Sequence, residues 1–244
     1  MHARRIAANC FTLVMITCAV YEGGITVRNK LDNDTAYAQM LDSGEVYVGD
    51  DDKVAKYFDE QIKQKIVSDY QRMVSINPDT VGWIYVKDTN INYPVMSGDN
   101  NYYLNYTPYK EAAFRGSIFL DENQLGFSNL NLVHGHNMLN GSMFSHLKKF
   151  KEKDFFDSHK ILIYDGEKFR VYKPQGMLRV QQSKTFKYNI EDPKELKKYT
   201  EELKSEAVLK SPDPVTEDNV LLLNTCVSDG TKEHHILVTQ EIAE

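Results

Sequence analysis

Between residues 82 and 242 the chain repeats one texture, short apolar runs broken by turn residues. The runs cover 82–87, 91–95, 114–120, 130–134, 161–164, 169–172, 176–182, 220–225 and 235–242. Runs this short, rich in Val, Ile, Leu, Tyr and Phe and closely spaced, read as strands. About eight of them in one domain imply a barrel or a sandwich. Helical periodicity is confined to three places. Val54, Tyr57, Phe58, Ile62, Ile66, Tyr70 and Met73 recur at three- and four-residue steps, which predicts an amphipathic helix over 53–74 ending before Asn77-Pro78. Residues 143–150 and 193–208 carry two further helical patterns, the second strongly charged with Leu196, Tyr199, Leu203 and Val208 as its apolar stripe. The fold expected is therefore mainly β with peripheral helices.

The N-terminus obeys a different grammar. Arg4 and Arg5 precede residues 6–21, which carry no charge, as in an export signal or a membrane anchor. As a helix that run would span about 24 Å against a hydrocarbon core of roughly 30 Å. A retained anchor and a cleaved signal both fit the pattern. In either case the basic end stays cytoplasmic and the remainder is expected outside the membrane. Residues 22–52 then read as an extracellular linker, and 53–244 as the folded domain including its N-terminal helix. A net charge of −6 argues against nucleic acid as a partner, because phosphate binding needs a basic surface.

Cys10 and Cys18 lie in the N-terminal run, so Cys226 stands alone in the part that folds. It ends the run Val220-Leu221-Leu222-Leu223-Asn224-Thr225-Cys226, where a strand emerges into the polar loop Val227-Ser228-Asp229-Gly230. A rigid strand end beside an open loop suits a nucleophile. A free thiol with a pKa of about 8.5 is only about 3% thiolate at pH 7, so a neighbouring His would matter. Asn131-Leu132-Val133-His134-Gly135-His136-Asn137-Met138 offers two candidates. Placed two apart on a strand they share a face, and spacing does not choose between them. A zinc site built from His134, His136, His234, His235 and Cys226 is the competing chemistry if these strands are neighbours.

The order of several blocks resembles the class B sortases, membrane-anchored cysteine transpeptidases of Gram-positive bacteria. The resemblance is carried by Gly82-Trp83-Ile84-Tyr85-Val86, Thr89-Asn90-Ile91-Asn92-Tyr93-Pro94-Val95, Asp99-Asn100-Asn101-Tyr102-Tyr103-Leu104 and Gly116-Ser117-Ile118-Phe119-Leu120-Asp121. It continues through Gly135-His136-Asn137-Met138, Ser142-Met143-Phe144-Ser145-His146-Leu147 and Leu223-Asn224-Thr225-Cys226, covering residues 53–244. It implies a sortase-type closed β-barrel of about eight strands, with an N-terminal helix and a helix inserted late. It also implies that Cys226 is the nucleophile and His136 the acid/base partner, with Asn224, Thr225 and His134 as supporting or substrate-binding residues. The expected reaction cleaves an Asn-Pro-x-Thr-like sorting signal at the C-terminus of a surface protein through a thioacyl intermediate. An amine of the peptidoglycan precursor then takes the acyl group, with neither cofactor nor resident metal. The location implied is the cell membrane, single-pass, with the C-terminal domain extracellular.

One position departs from the family. Its members carry an Arg at the start of the last strand, whereas Glu233-His234-His235-Ile236-Leu237-Val238 has none and Arg179 is the last Arg of the chain. His235 is the positional match. Imidazole cannot reproduce the permanent charge and planar fork of a guanidinium, so the alternative reading is a sortase-fold binding protein with impaired or no turnover.

Overall fold

The computed structural model describes residues 56–226 and 232–242. The expected anchor or signal at 1–21, the linker at 22–52 and the start of the helix at 53–55 lie outside the described residues. Among the described residues, no helix is long and apolar enough to cross a membrane.

Helix α1 runs Glu60–Ile76, starting later than the periodicity predicts because Asp59 caps it, its carboxylate accepting from the Gln61 amide at 2.7 Å. The helix ends at Asn77, ahead of Pro78. Ile66, Val67 and Met73 form its buried face, and the helix packs on β1. Nine strands follow: β1 (Thr80–Val86), β2 (Asn92–Met96), β3 (Ile118–Leu120), β4 (Leu130–His134), β5 (Ile161–Tyr164), β6 (Phe169–Gln181), β7 (Leu209–Lys210), β8 (Val220–Cys226) and β9 (Glu233–Glu241). Their order is β5-β1-β2-β3-β4-β8-β9-β6-β7, and a further β5–β6 pairing closes eight of them into a barrel with β7 attached to β6. Full closure removes the open edges that would otherwise invite aggregation.

Alternation along the strands divides the core in two. Val133, Met177, Leu221, Leu223 and Leu237 fill the barrel together with Ile84, Val95, Ile118, Ile163 and Tyr172. The intervening positions, Leu130, Leu132, Leu178, Val220, Leu222, Ile236 and Val238, face outward. They are covered by Leu196, Tyr199 and Leu203 of the late helix, with Phe186, Tyr188 and Ile190 at its margin. That helix is the fourth in chain order, Pro193–Glu206, capped by Asp192 with Pro193 in its first turn. Two six-residue helices, α2 (Asn100–Asn105) and α3 (Lys153–Ser158), flank a 3₁₀ helix over Phe144–Lys151 on its N- and C-terminal sides; the late helix is α4.

Candidate active site

Strand β4 lies between β3 and β8, antiparallel to the first and parallel to the second. The parallel register runs from Leu130↔Val220 to His134↔Asn224, and the Gly135 amide extends it by donating to the Asn224 carbonyl at 3.1 Å. Because the two strands run the same way, the turn that carries His136 and the residue that ends β8, Cys226, emerge at the same end of the barrel. No room exists for a side chain at position 135. A Cβ there would lie 2.4 Å from Ile118 Cδ1 and 2.8 Å from Phe144 Cδ2.

The two histidines expected to share a face separate at this point. Strand β4 ends at His134, so alternation does not extend to His136. Nε2–H of His136 donates to the Leu104 carbonyl at 2.9 Å, and its ring stacks on Phe114, centroids 5.4 Å apart with 19° between planes. Burial lowers the His136 pKa below the ordinary 6.5, partly offset by the Leu104 hydrogen bond. The neutral ring therefore carries its basic lone pair on Nδ1.

His134 is held differently. Its Nε2 meets Asp121 Oδ2 at 3.0 Å, its Nδ1 meets Asn224 Nδ2 at 2.9 Å, and its ring lies against Phe119. Burial opposes ionisation of Asp121, yet hydrogen bonds from His134 and from the Asn123 backbone and side chain outweigh it. They hold this carboxyl well below the usual carboxylate range. Asn224 Oδ1 in turn meets His234 Nδ1 at 2.7 Å. Burial, and then the proximity of His134, lower the His234 pKa below 6.5. Asp121, His134, Asn224 and His234 thus form one hydrogen-bonded line across the outward face.

The register separates the two histidines of β9. Cys226 pairs with His234, while His235 pairs with Thr225 on one side and Arg179 on the other. Cross-strand partners share a face and neighbours along a strand alternate. His235, only 5% exposed, therefore belongs to the inward-facing set with Leu237, and His234 to the outward set with Asn224. Thr225 is buried with its hydroxyl unpartnered among the described residues. Arg179, on the His235 face, is ion-paired with Glu233. Among the described residues, no group of three or more His, Cys, Asp or Glu is arranged to hold a metal ion.

Sequence reasoning did not single out Asp121, Phe114 or the Leu104 carbonyl as site components. Asp121 had a signal, since it closes the apolar run over β3 where a charged residue needs a partner. A main-chain carbonyl has none.

A family model described as the sortase domain matches residues 84–242. Sortase B of Listeria monocytogenes is 28% identical over 248 residues, covering 98% of this chain and 98% of that protein. Sortase B of Staphylococcus aureus is 30% identical over 199 residues, covering 75% of this chain and 81% of that one. Among solved structures, sortase B of Clostridium perfringens matches with a TM-score of 0.65 at 30% identity, over 71% of this chain and 99% of that chain.

Proposed function

The chain belongs to the sortase family and is a cysteine transpeptidase of the sortase B type, and we propose that it cleaves an Asn-Pro-x-Thr-like sorting signal and joins the surface protein to an amine of the cell-wall precursor. In this reading the Cys226 thiol gives its proton to His136 Nδ1, and Sγ attacks the Thr carbonyl carbon to form a tetrahedral oxyanion. The C–N bond then breaks and His136 gives its proton to the departing amine. The resulting thioester is attacked by the incoming amine, His136 takes that amine's proton, and the Cys226 sulfur leaves. Splitting the transfer in two lets an amine compete with water. The same reading puts the domain outside the cell, held by residues 6–21.

One observation carries the proposal: the parallel pairing of β4 with β8, which brings the His136 turn and the end of the Cys226 strand to one rim of a closed barrel. A part-buried His136 whose Nε2–H is spent on the Leu104 carbonyl leaves its Nδ1 lone pair to take a proton, which suits the acid/base role.

The test incubates the full chain with a quenched Asn-Pro-Gln-Thr-Asn peptide and a glycine-based amine, with products analysed by mass spectrometry. Amine-joined product that disappears in Cys226→Ala, and drops by about 10²–10⁴ in His136→Ala, is the expected result. Cleavage without joining would point to a hydrolase, and peptide bound but uncleaved to the binding-only alternative.

A further inference from the structure

The antiparallel register of β5 with β6 ends at Ile161↔Tyr172. Carried one step further it sets Lys160 opposite Lys173, and like charges at opposed positions of a sheet are destabilising. Both side chains line a cavity of about 180 Å³, together with Ser211 and the apolar walls of Phe156, Pro174 and Pro212. That volume is several times the roughly 30 Å³ of one water in the liquid. The cavity stands at the other end of the barrel from the candidate active site. Lys173 pairs with Gln240, which also faces Val220 at the start of β8, whereas Cys226 ends that strand. Six residue steps along β8 put roughly 20 Å between the two ends.

The local charge is positive. Lys173 Nζ is 2.8 Å from Asp213 Oδ2, and Lys204 Nζ donates to the Asp213 carbonyl. The Lys173 hydrogen bond, then the charges of Lys173, Lys204 and Lys160, hold the Asp213 carboxyl below the ordinary 3.8. Asp157, also in the lining, is ion-paired with Lys153. Lys160 Nζ meets main-chain carbonyls, those of Asp157 at 3.1 Å and His159 at 3.4 Å. Burial and the Lys173 charge push the Lys160 pKa below the ordinary 10.5, so an anion set between the two ammonium groups would relieve both.

Donors remain to hold it. Two carbonyls take two of the three Lys160 ammonium protons, and the third is left to donate. Lys173 spends one proton on Asp213, and the Ser211 hydroxyl, which accepts from the Asp213 amide at 3.1 Å, keeps its own. Three converging donors match the several oxygens of a phosphate better than the two of a carboxylate. We propose that this cavity binds a phosphate group, held by Lys160 Nζ, Lys173 Nζ and the Ser211 hydroxyl, with the apolar walls against the carbon side of a phosphate ester. Nothing in this site depends on the reaction at Cys226.

Titration calorimetry of the full chain with orthophosphate and with glycerol phosphate, in low salt to limit screening, tests it. Saturable binding at one site per chain is expected. Lys160→Met and Lys173→Met should each weaken it about tenfold or more. Lys198→Met, the same change of charge at an exposed position of α4, should leave it unaltered. Asp213→Asn keeps an acceptor for Lys173 but removes the competing negative charge, so it should tighten binding, a gain that misfolding cannot imitate. Thermal unfolding checks each variant, and if Lys173→Met does not fold, Asp213→Asn decides. Vesicles of phosphatidylglycerol, with phosphatidylcholine vesicles as blank, separate the two sources of the group. Capture above the blank that is lost in Lys160→Met assigns a lipid headgroup, whereas glycerol phosphate binding without such capture assigns a soluble ester. The proposal is overturned if neither orthophosphate nor glycerol phosphate saturates the protein. It is equally overturned if Lys198→Met weakens binding as much as Lys160→Met, or if Asp213→Asn brings no gain.

Discussion

The Gly135 amide donates to the Asn224 carbonyl at 3.1 Å, one step beyond the last paired residues of β4 and β8. This single bond fixes where the His136 turn begins relative to the strand that ends in Cys226. It depends on a close approach that only Gly permits, with Ile118 and Phe144 crowding the space a Cβ would need. Gly135→Ala is therefore expected to destabilise the domain by about 1–3 kcal/mol and to lower turnover further than the stability loss explains. Urea unfolding and steady-state kinetics on the same preparation check this; unchanged values for both would mean the turn relaxes freely.

Phe114 is 57% exposed yet stacks on His136, so it shields the ring more than it fills a core. Burial is the main cause of the lowered His136 pKa. Phe114→Ala is expected to let water reach the ring and move its titration upward toward 6.5. NMR titration of the His136 ring resonances measures the shift, and a downward displacement would contradict it.

Asp121 makes the fold sensitive to acid. Its folded-state pKa is depressed below the ordinary 3.8, so the stability it contributes is fully present above that value and is lost as pH falls through the folded one. Asp121→Asn should be less stable than wild type near neutrality. The gap should narrow once the pH drops below about 3.8. Urea midpoints at neutral and acid pH give the comparison, and a gap of constant size would show that the carboxylate's charge is not what stabilises.

Tyr199 has a polar task as well as an apolar one, its hydroxyl accepting from the Lys187 amide at 3.1 Å. Residue 188, next in the chain, is hydrogen-bonded to Asp121 through its own phenol. Tyr199→Phe keeps the ring over the outward face but removes the acceptor. A cost of about 1 kcal/mol is expected, with faster amide exchange localised at Lys187. Exchange rates that match wild type at that amide would refute the role.

The parts of this fold legible in the sequence are those where an apolar run meets an unambiguous stop. Strands β4 and β5 begin and end where the pattern says, at Leu130–His134 and Ile161–Tyr164, because Gly135 and Asp165-Gly166 close them. Strand β6 reads as two runs across Lys173-Pro174-Gln175, yet the chain keeps one strand there and absorbs the proline in a register shift between Pro174 and Gly176. Residues 114–120 look extended throughout, but Gly116 takes a positive φ of 55° and β3 starts only at Ile118. Helices α2 and α3, six residues each, are too short to show a period. For the candidate site, the sequence proposes Cys226 and His136 from their blocks. Which of His234 and His235 shares a face with Cys226 is not legible, because counting residues across a loop does not preserve strand parity; the Cys226↔His234 pairing supplies it.

Strand β8 sits between β4 and β9, and the contact it makes with β4 joins positions ninety apart in the chain, His134 and Asn224. A polypeptide emerges N-terminus first, so His136 is exposed well before the strand that bears the thiol. That strand in turn has only one neighbour until β9 arrives. A product truncated before residue 233 would contain both blocks by which the chemistry is recognised and yet lack the wall that carries His234. The barrel is thus closed last on this side, and an unfinished copy keeps β8 as an open edge.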